Sequence, residues 1–127
     1  MAQREVKYGY AYAKYVVSDG VTVATQTLAT TSSIPKDAVI TSTTVITRGA
    51  IASSGSATIS IIAGGVTTTS AIAKAKLDTA GWTVREDVVE DATAVSDGTA
   101  IKVAVGTAAL NGGSEELDII VEYILID

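Results

Sequence analysis

The chain has 127 residues, of which 47% are hydrophobic and only 18% charged, and it carries a net charge of −5. It contains neither Cys nor His, which excludes disulfide scaffolds, thiol nucleophiles, histidine bases, His-containing serine triads and typical zinc sites. The acidic balance argues against a nucleic-acid partner held through its phosphates, and with no apolar run near the roughly 20 residues that cross a bilayer, no membrane contact is expected.

A hydrophobic period of two dominates, which places alternate side chains on opposite faces of extended strands. Residues 1–5 lack the apolar core of a signal peptide and read as an N-terminal arm. Residues 6–17 are the first predicted strand. One parity carries Val6, Tyr8, Tyr10, Tyr12 and Lys14; the other carries Lys7, Gly9, Ala11, Ala13 and Tyr15. Ser18-Asp19-Gly20 reads as a turn, since Asp and Gly tolerate the positive φ of tight hairpins. Residues 21–29 resume the alternation. Residues 30–37 break it around Pro35, the only proline, and read as a loop between sheets because proline lacks a ladder donor. Residues 38–48 are a β-branched run with strong strand preference. After a turn at 52–55, residues 56–63 form a strand with Ala57, Ile59, Ile61 and Ala63 on one side, ended by Gly64-Gly65.

The Ala and Lys content of residues 70–77 suits a helix of one to two turns, with Ser70 as N-cap and Gly81 just past its end. The same residues also read as an edge strand blunted by Lys74 and Lys76. Residues 82–92 read as a strand followed by an acidic bend, and Ser96-Asp97-Gly98 as a turn. Residues 99–106 alternate Ile101, Val103 and Val105 against Lys102 and Ala104. Asn111-Gly112-Gly113 is the last turn, and residues 115–126 are the closing strand. Leu117, Ile119, Val121, Tyr123 and Leu125 face one way; Glu116, Asp118, Ile120, Glu122 and Ile124 face the other. Roughly seven to eight strands, with turns about every ten residues, predict an all-β antiparallel β-sandwich with at most one short helix. A jelly roll is the expected order and an immunoglobulin-like one the alternative. Residues 6–127 are expected to form a single domain, which suits a chain of this length.

Few features point to chemistry. Glu86, Asp87, Glu90 and Asp91 are the best candidates for converging carboxylates, but the D-x-D-x-D-G spacing of a calcium loop is missing, and a solvated bend is the expectation. The glycine pairs lack the context of a phosphate loop and read as turns. The many Ser and Thr hydroxyls have no activating base beyond carboxylates and lysines, and no S-x-x-K set is present. No catalytic residue, metal ligand or cofactor is expected.

The tyrosine stripe is more informative. Tyr8, Tyr10 and Tyr12 share one face, and Gly9, Ala11 and Ala13 leave the other nearly bare. Tyrosine is apolar along its body and polar at its tip, which suits interfaces. Two readings stand level: a contact between subunits, or filling of one end of the core. A sugar-binding platform is a third, for which no Trp or Asp/Asn set lies nearby in sequence. Ile120, Ile124 and Ile126 interrupt the polar face of the closing strand. A sheet in a small sandwich needs only one face covered, so an oligomer is expected to cover the second.

With these strands in place, the sequence resembles the capsid decoration, or cement, proteins of tailed bacteriophages. The matching stretches are KYGYAYAKY at 7–15, TLATTSSIP at 27–35 followed by AVI at 38–40, GSATISI at 55–61, and VAVGTAAL at 103–110, leading to EL at 116–117 and VEY at 121–123. The resemblance spans nearly the whole chain and is weakest over residues 67–94. It implies a β-sandwich, often a jelly roll, made in the host cytoplasm and assembled as a homotrimer on the outer surface of the virion. There it would clamp subunits of the major capsid protein, with no catalytic residue. On that basis Tyr8, Tyr10, Tyr12, Ile120, Tyr123 and Ile124 are the expected subunit interface. Arg4, Ile34, Pro35, Lys36 and Asn111 are the expected capsid contacts. A glycan- or host-binding head-fibre or tail module is the competing expectation, and a carboxylate hydrolase a remote third.

Overall fold

The computed structural model describes residues 5–19, 23–27, 34–53, 55–63, 66–67, 72–78, 81, 83–87, 101–111 and 113–126. Nine strands lie among them: β1 (Val6–Val16), β2 (Thr25–Thr27), β3 (Val39–Thr47), β4 (Thr58–Ala63), β5 (Val66–Thr67), β6 (Ile72–Ala73), β7 (Thr83–Asp87), β8 (Ile101–Gly106) and β9 (Glu116–Ile126). Six of these are five residues or longer. The short remainder accounts for the difference from the predicted count. One helical turn, α1 (Lys74–Leu77), and a 3-10 turn at Val17–Asp19 complete the described elements. Among the described residues no helix is long and apolar enough to cross a membrane.

The strands form two antiparallel sheets. One has the order β1-β9-β3-β7; the other has the order β2-β8-β4-β5, with β6 also paired to β4. The chain moves from sheet to sheet at most of its connections. Ser18 and Asp19 are therefore not part of a tight hairpin. They belong to the 3-10 turn that starts a crossing, and β1 pairs with β9 instead. Gly20 lies outside the described residues. The loop before β3 does join strands of different sheets, as its proline suggested.

Alternation sets the core. Ile59, Ile61 and Ala63 of β4 are buried, as are Ile101, Val103 and Val105 of β8. From the other sheet come Ala11, Ala13 and Tyr15 of β1 and Leu117, Ile119 and Val121 of β9. All belong to one buried cluster. Each large aliphatic side chain among them contributes about 1.5–3 kcal/mol by leaving water. β3 changes phase within its length. Ile40 pairs with Tyr123 and Ser42 with Glu122, which leaves Thr41 as the extra residue of a bulge. Beyond it, Thr43, Val45 and Thr47 are buried on the inward parity; Ser42, Thr44 and Ile46 take the outward parity, where Ser42 is itself covered.

Residues 70–77 satisfy both readings in part. Ile72–Ala73 pair as a strand and Lys74–Leu77 then wind into one turn. Its N-cap is Ala73, extended at φ −71° and ψ 150° and without a side-chain cap. Ser70, the expected cap, lies outside the described residues. Leu77 is fully buried and its carbonyl accepts the Ile51 N–H, so packing holds the turn in place of capping. Gly81 follows at φ 79°, a conformation that suits glycine.

The register gives the four-stranded sheet two distinct ends. Val6 and Val39 lie near Ile124 and Ile126 at one end; Val16 and Thr47 lie near Glu116 and Leu117 at the other.

Candidate interaction surface

The parity of β1 decides which of its residues face outward. Ala11, Ala13 and Tyr15 are buried, whereas Tyr8 and Tyr10 are 83% and 64% exposed. The reading of the tyrosine stripe as core filler is thereby overturned. The small face closes over the facing sheet, and Tyr15 supplies the bulk there. Register places Ile124 beside Tyr8, Glu122 beside Tyr10 and Ile120 beside Tyr12. Val39, Ser42 and Thr44 of β3 stand across β9 from the same three residues. Val6 and Val39 are also exposed. An outward face with apolar residues from three strands results, concentrated toward the Val6 end.

A groove of about 520 Å³ lies in this face, lined by Tyr8, Gly9, Tyr10, Thr41, Ile120, Glu122 and Tyr123. Gly9 is required by its neighbour. A Cβ there would meet Tyr123 Cζ at 2.6 Å, so the Tyr123 ring passes where only a glycine leaves room. Of the expected interface residues, Tyr123 is the one on the inward parity, packed against the core.

Two polar clusters flank the apolar residues. In the first, the Tyr12 hydroxyl donates to Asp118 Oδ1 at 2.5 Å and Arg48 Nε donates to Oδ2 at 2.6 Å. Burial alone would raise the Asp118 pKa. The hydrogen bonds from Tyr12 and Arg48 and the charges of Arg48 and Lys14 outweigh it and hold the carboxyl below its ordinary value. The Tyr12 phenol is raised, first by donating to that carboxylate and then by burial. Lys14 Nζ lies 3.0 Å from Glu116 Oε1, a contact that raises the ammonium pKa.

The second cluster adjoins the groove. Ser42 Oγ donates to Glu122 Oε2 at 2.9 Å, and Arg85 Nη2 donates to Ser42 Oγ at 3.2 Å. The same Arg85 nitrogen lies 3.6 Å from Glu122 Oε2, and Thr41 Oγ1 donates to the Glu122 carbonyl at 3.3 Å. Without the bulge at Thr41, Ser42 would point to the core and this cluster would not form. Neither Ser42 nor Arg85 stands out in the sequence, because only long-range register brings β7, β3 and β9 together.

The expected capsid contacts do not form one group. Ile34 is fully buried in the core cluster and cannot be an outward contact; its branched apolar side chain is better used inside the core. Pro35 is half-buried and Lys36 exposed. Their turn is closed by the Ala38 N–H donating to the Pro35 carbonyl at 3.2 Å, with Asp37 at φ 68°. Asn111 is exposed, and its N–H donates to the Ala52 carbonyl at 2.8 Å. Lys36 precedes β3 at the Val6 end, and Asn111 precedes β9 at the Val16 end. The length of β3, roughly 30 Å at about 3.4 Å per residue, separates the two ends. Arg4 lies outside the described residues, as do Glu90 and Asp91. Glu86 and Asp87 belong to β7. Among the described residues no three His, Cys, Asp or Glu gather where a metal ion could be held.

No family model and no curated protein sequence matches the chain. Solved structures do match in fold. A chain of the cyanophage Pam1 capsid asymmetric unit superposes with a TM-score of 0.70 at 18% identity, covering 94% of this chain and 86% of its own. A chain of the capsid of Ralstonia phage GP4 gives 0.64 at 13% identity, covering 94% and 84%. A chain of the acid-stable capsid of Helicobacter pylori bacteriophage KHP30 gives 0.54 at 16% identity, covering 98% and 97%. The chain thus has the fold of phage capsid components.

Proposed function

We propose that the chain is a structural component of a phage virion: a decoration, or cement, protein that binds the outer capsid surface as a homotrimer and stabilises the shell. The observation that carries this reading is the outward apolar face of β1, β9 and β3, on a fold otherwise met in phage capsids. Exposed apolar residues gathered on one face mark a contact surface. The strand order also supports a jelly-roll sandwich. Numbered along the chain, one sheet takes the first, last, third and seventh strands, and the other takes the second, eighth, fourth and fifth. The strands of the two sheets interleave along the sequence as they do when a long hairpin is rolled into two layers.

In this reading Tyr8, Tyr10, Ile120 and Ile124 lie between subunits, with Tyr12 and Tyr123 beneath them. The major capsid protein meets the Val6 end, where Pro35 and Lys36 project. Each capsid contact is modest. Joined in a trimer, the contacts act at high effective concentration and hold tightly. Whatever binds the assembled shell and not its dissociated parts stabilises it by mass action. The role requires contact area and no bond-breaking.

Sedimentation with intact capsids tests the proposal. Co-sedimentation at a fixed ratio to capsid subunits is expected, with higher resistance of the capsids to heat. Absence of co-sedimentation would remove the reading.

One observation favours the competing module that binds glycans. The groove sets Tyr8 and Tyr10 beside the polar groups of Glu122 and Thr41, a pairing of aromatic faces with hydrogen-bonding groups that suits a sugar. Saturable binding to a glycan array without capsid binding would favour that module.

A further inference from the structure

The outward face of β1, β9 and β3 divides along its length. Val6, Tyr8, Val39 and Ile124 gather toward one end, while the charged groups lie from Glu122 to the Val16 end. The outward parities of these strands hold three carboxylates, Glu116, Asp118 and Glu122, all on β9. Each has a cation from its own subunit. Lys14 Nζ of β1 lies 3.0 Å from Glu116, Arg48 Nε just past β3 lies 2.6 Å from Asp118, and Arg85 Nη2 reaches from β7 to within 3.6 Å of Glu122. Three cations answer three anions, so the whole net charge of −5 is carried by the rest of the chain. Asp87, opposite Ser42 on the edge strand β7, belongs to the rim of the face.

We propose, on the decoration reading above, that this face meets a second copy of the chain over its full length, and that the three ion pairs stay within each subunit and cancel its charge where the copies touch. Every copy carries −5, so association brings like charges together except where the touching surface is neutral. About a three-fold axis, a residue near the axis meets its own copies, and an uncompensated Glu116 there would be repeated three times. Local hydrogen bonds add to the pairing. Tyr12 donates to Asp118 and Ser42 to Glu122, which leaves fewer carboxylate lone pairs in need of water when the face is covered. The apolar end supplies the adhesion, and the charged end lets the contact extend without repulsion.

A partner recognised by opposite charge fits this face poorly. Such recognition sets a patch of one sign against a patch of the other, and here the signs cancel residue by residue. The pairs also do little for a single subunit in water, because the Lys14, Arg48 and Arg85 side chains are 50%, 56% and 60% exposed. Their pairing has its largest consequence when the face is covered and the screening water leaves.

Sedimentation velocity of the full chain over a concentration series tests the proposal. Association is expected to hold level or strengthen as salt rises from about 50 mM to about 500 mM, because salt screens the repulsion of the acidic remainder and finds no ion pair between subunits to weaken. Lys14→Gln and Glu116→Gln each leave one charge unmatched in every copy, and each should weaken association about ten-fold or more. The two together should return it to within about three-fold of the wild type, while urea midpoints of all three variants stay close to the wild type, as exposed pairs allow. Association that falls steeply with salt would place ion pairs between subunits and overturn the proposal. Single variants that associate like the wild type, or a double variant no better than the weaker single, would do the same. A wild type that stays monomeric yet co-sediments with capsids would give the face to the capsid, which overturns the proposal and leaves capsid binding intact. Self-association that behaves as expected, without co-sedimentation, would remove the decoration role and leave the contact between copies standing.

Discussion

Tyr8, Tyr10 and Tyr15 share one strand and one chemistry but not one environment, which allows stability and assembly to be separated. Tyr15 is fully buried, and Tyr15→Ala should cost about 3–5 kcal/mol of folding stability, as other aromatic truncations in cores do. Tyr8 and Tyr10 together are covered by only about half of one ring's area. At about 1.5–3 kcal/mol for a fully buried side chain, the double variant Tyr8→Ala, Tyr10→Ala should lose about 1 kcal/mol. Its effect on assembly should be far larger. Aromatic anchors at the centre of an interface cost about 2 kcal/mol or more each when truncated. Two of them make each subunit contact weaker by about 4 kcal/mol, or roughly 10³-fold. Urea titration measures the first quantity, and sedimentation velocity over a concentration series measures the second. A double variant that assembles like the wild type would refute the interface. One that unfolds as readily as Tyr15→Ala would refute the claim that these rings lie outside the core.

Three further outcomes follow from the side-chain clusters. Asp118→Asn should destabilise the fold by about 1–2 kcal/mol, a figure limited by the exposure of Arg48. The Asp118 pKa is lowered in the folded state, so its contribution is present above the ordinary carboxyl range and is lost as pH falls through the lowered value. Urea titrations across acidic pH should show that loss in the wild type and not in the variant. Gly9→Ala should cost about 1–3 kcal/mol through overpacking against the Tyr123 ring, and the loss should shrink in a Tyr123→Ala background, measured as a double-mutant cycle in thermal unfolding. Arg85→Ala, at an exposed ion pair, should change stability by less than about 1 kcal/mol; a larger change in urea midpoint would mean that the Ser42–Glu122 cluster is a structural support.

Much of the fold was legible because a period of two needs no long-range information. The alternating sets read in β1, β4, β8 and β9 do separate into a buried and an outward face in the structure. The tyrosine stripe was visible as a stripe, but whether it faced in or out was not. That depends on which parity the facing sheet covers, and alanines and tyrosines on opposite faces satisfy either choice. Ile34 shows a second kind of gap. In a Ser/Thr-rich stretch before Pro35 it reads as a surface loop residue, yet its side chain is fully buried in the core cluster. The Arg85–Ser42–Glu122 cluster was not legible at all, because it depends on a bulge and on two strand registers. Strand pairing misled in one place: Ser18 and Asp19 carry hairpin chemistry but begin a crossing between sheets.

The position of β9 has a consequence for synthesis. It lies between β1 and β3, bonded to both, and it follows every other described strand in the chain. While the ribosome is still translating, β1 has no partner within its own sheet, and its tyrosines and long main-chain edge are left to whatever is near. The sheet can close only once residue 126 has emerged from the exit tunnel. Closure of this sheet is therefore governed by contacts distant in sequence, the class that forms slowly. High expression or elevated temperature, which crowd unfinished chains together, should give inclusion bodies well before they affect the completed protein.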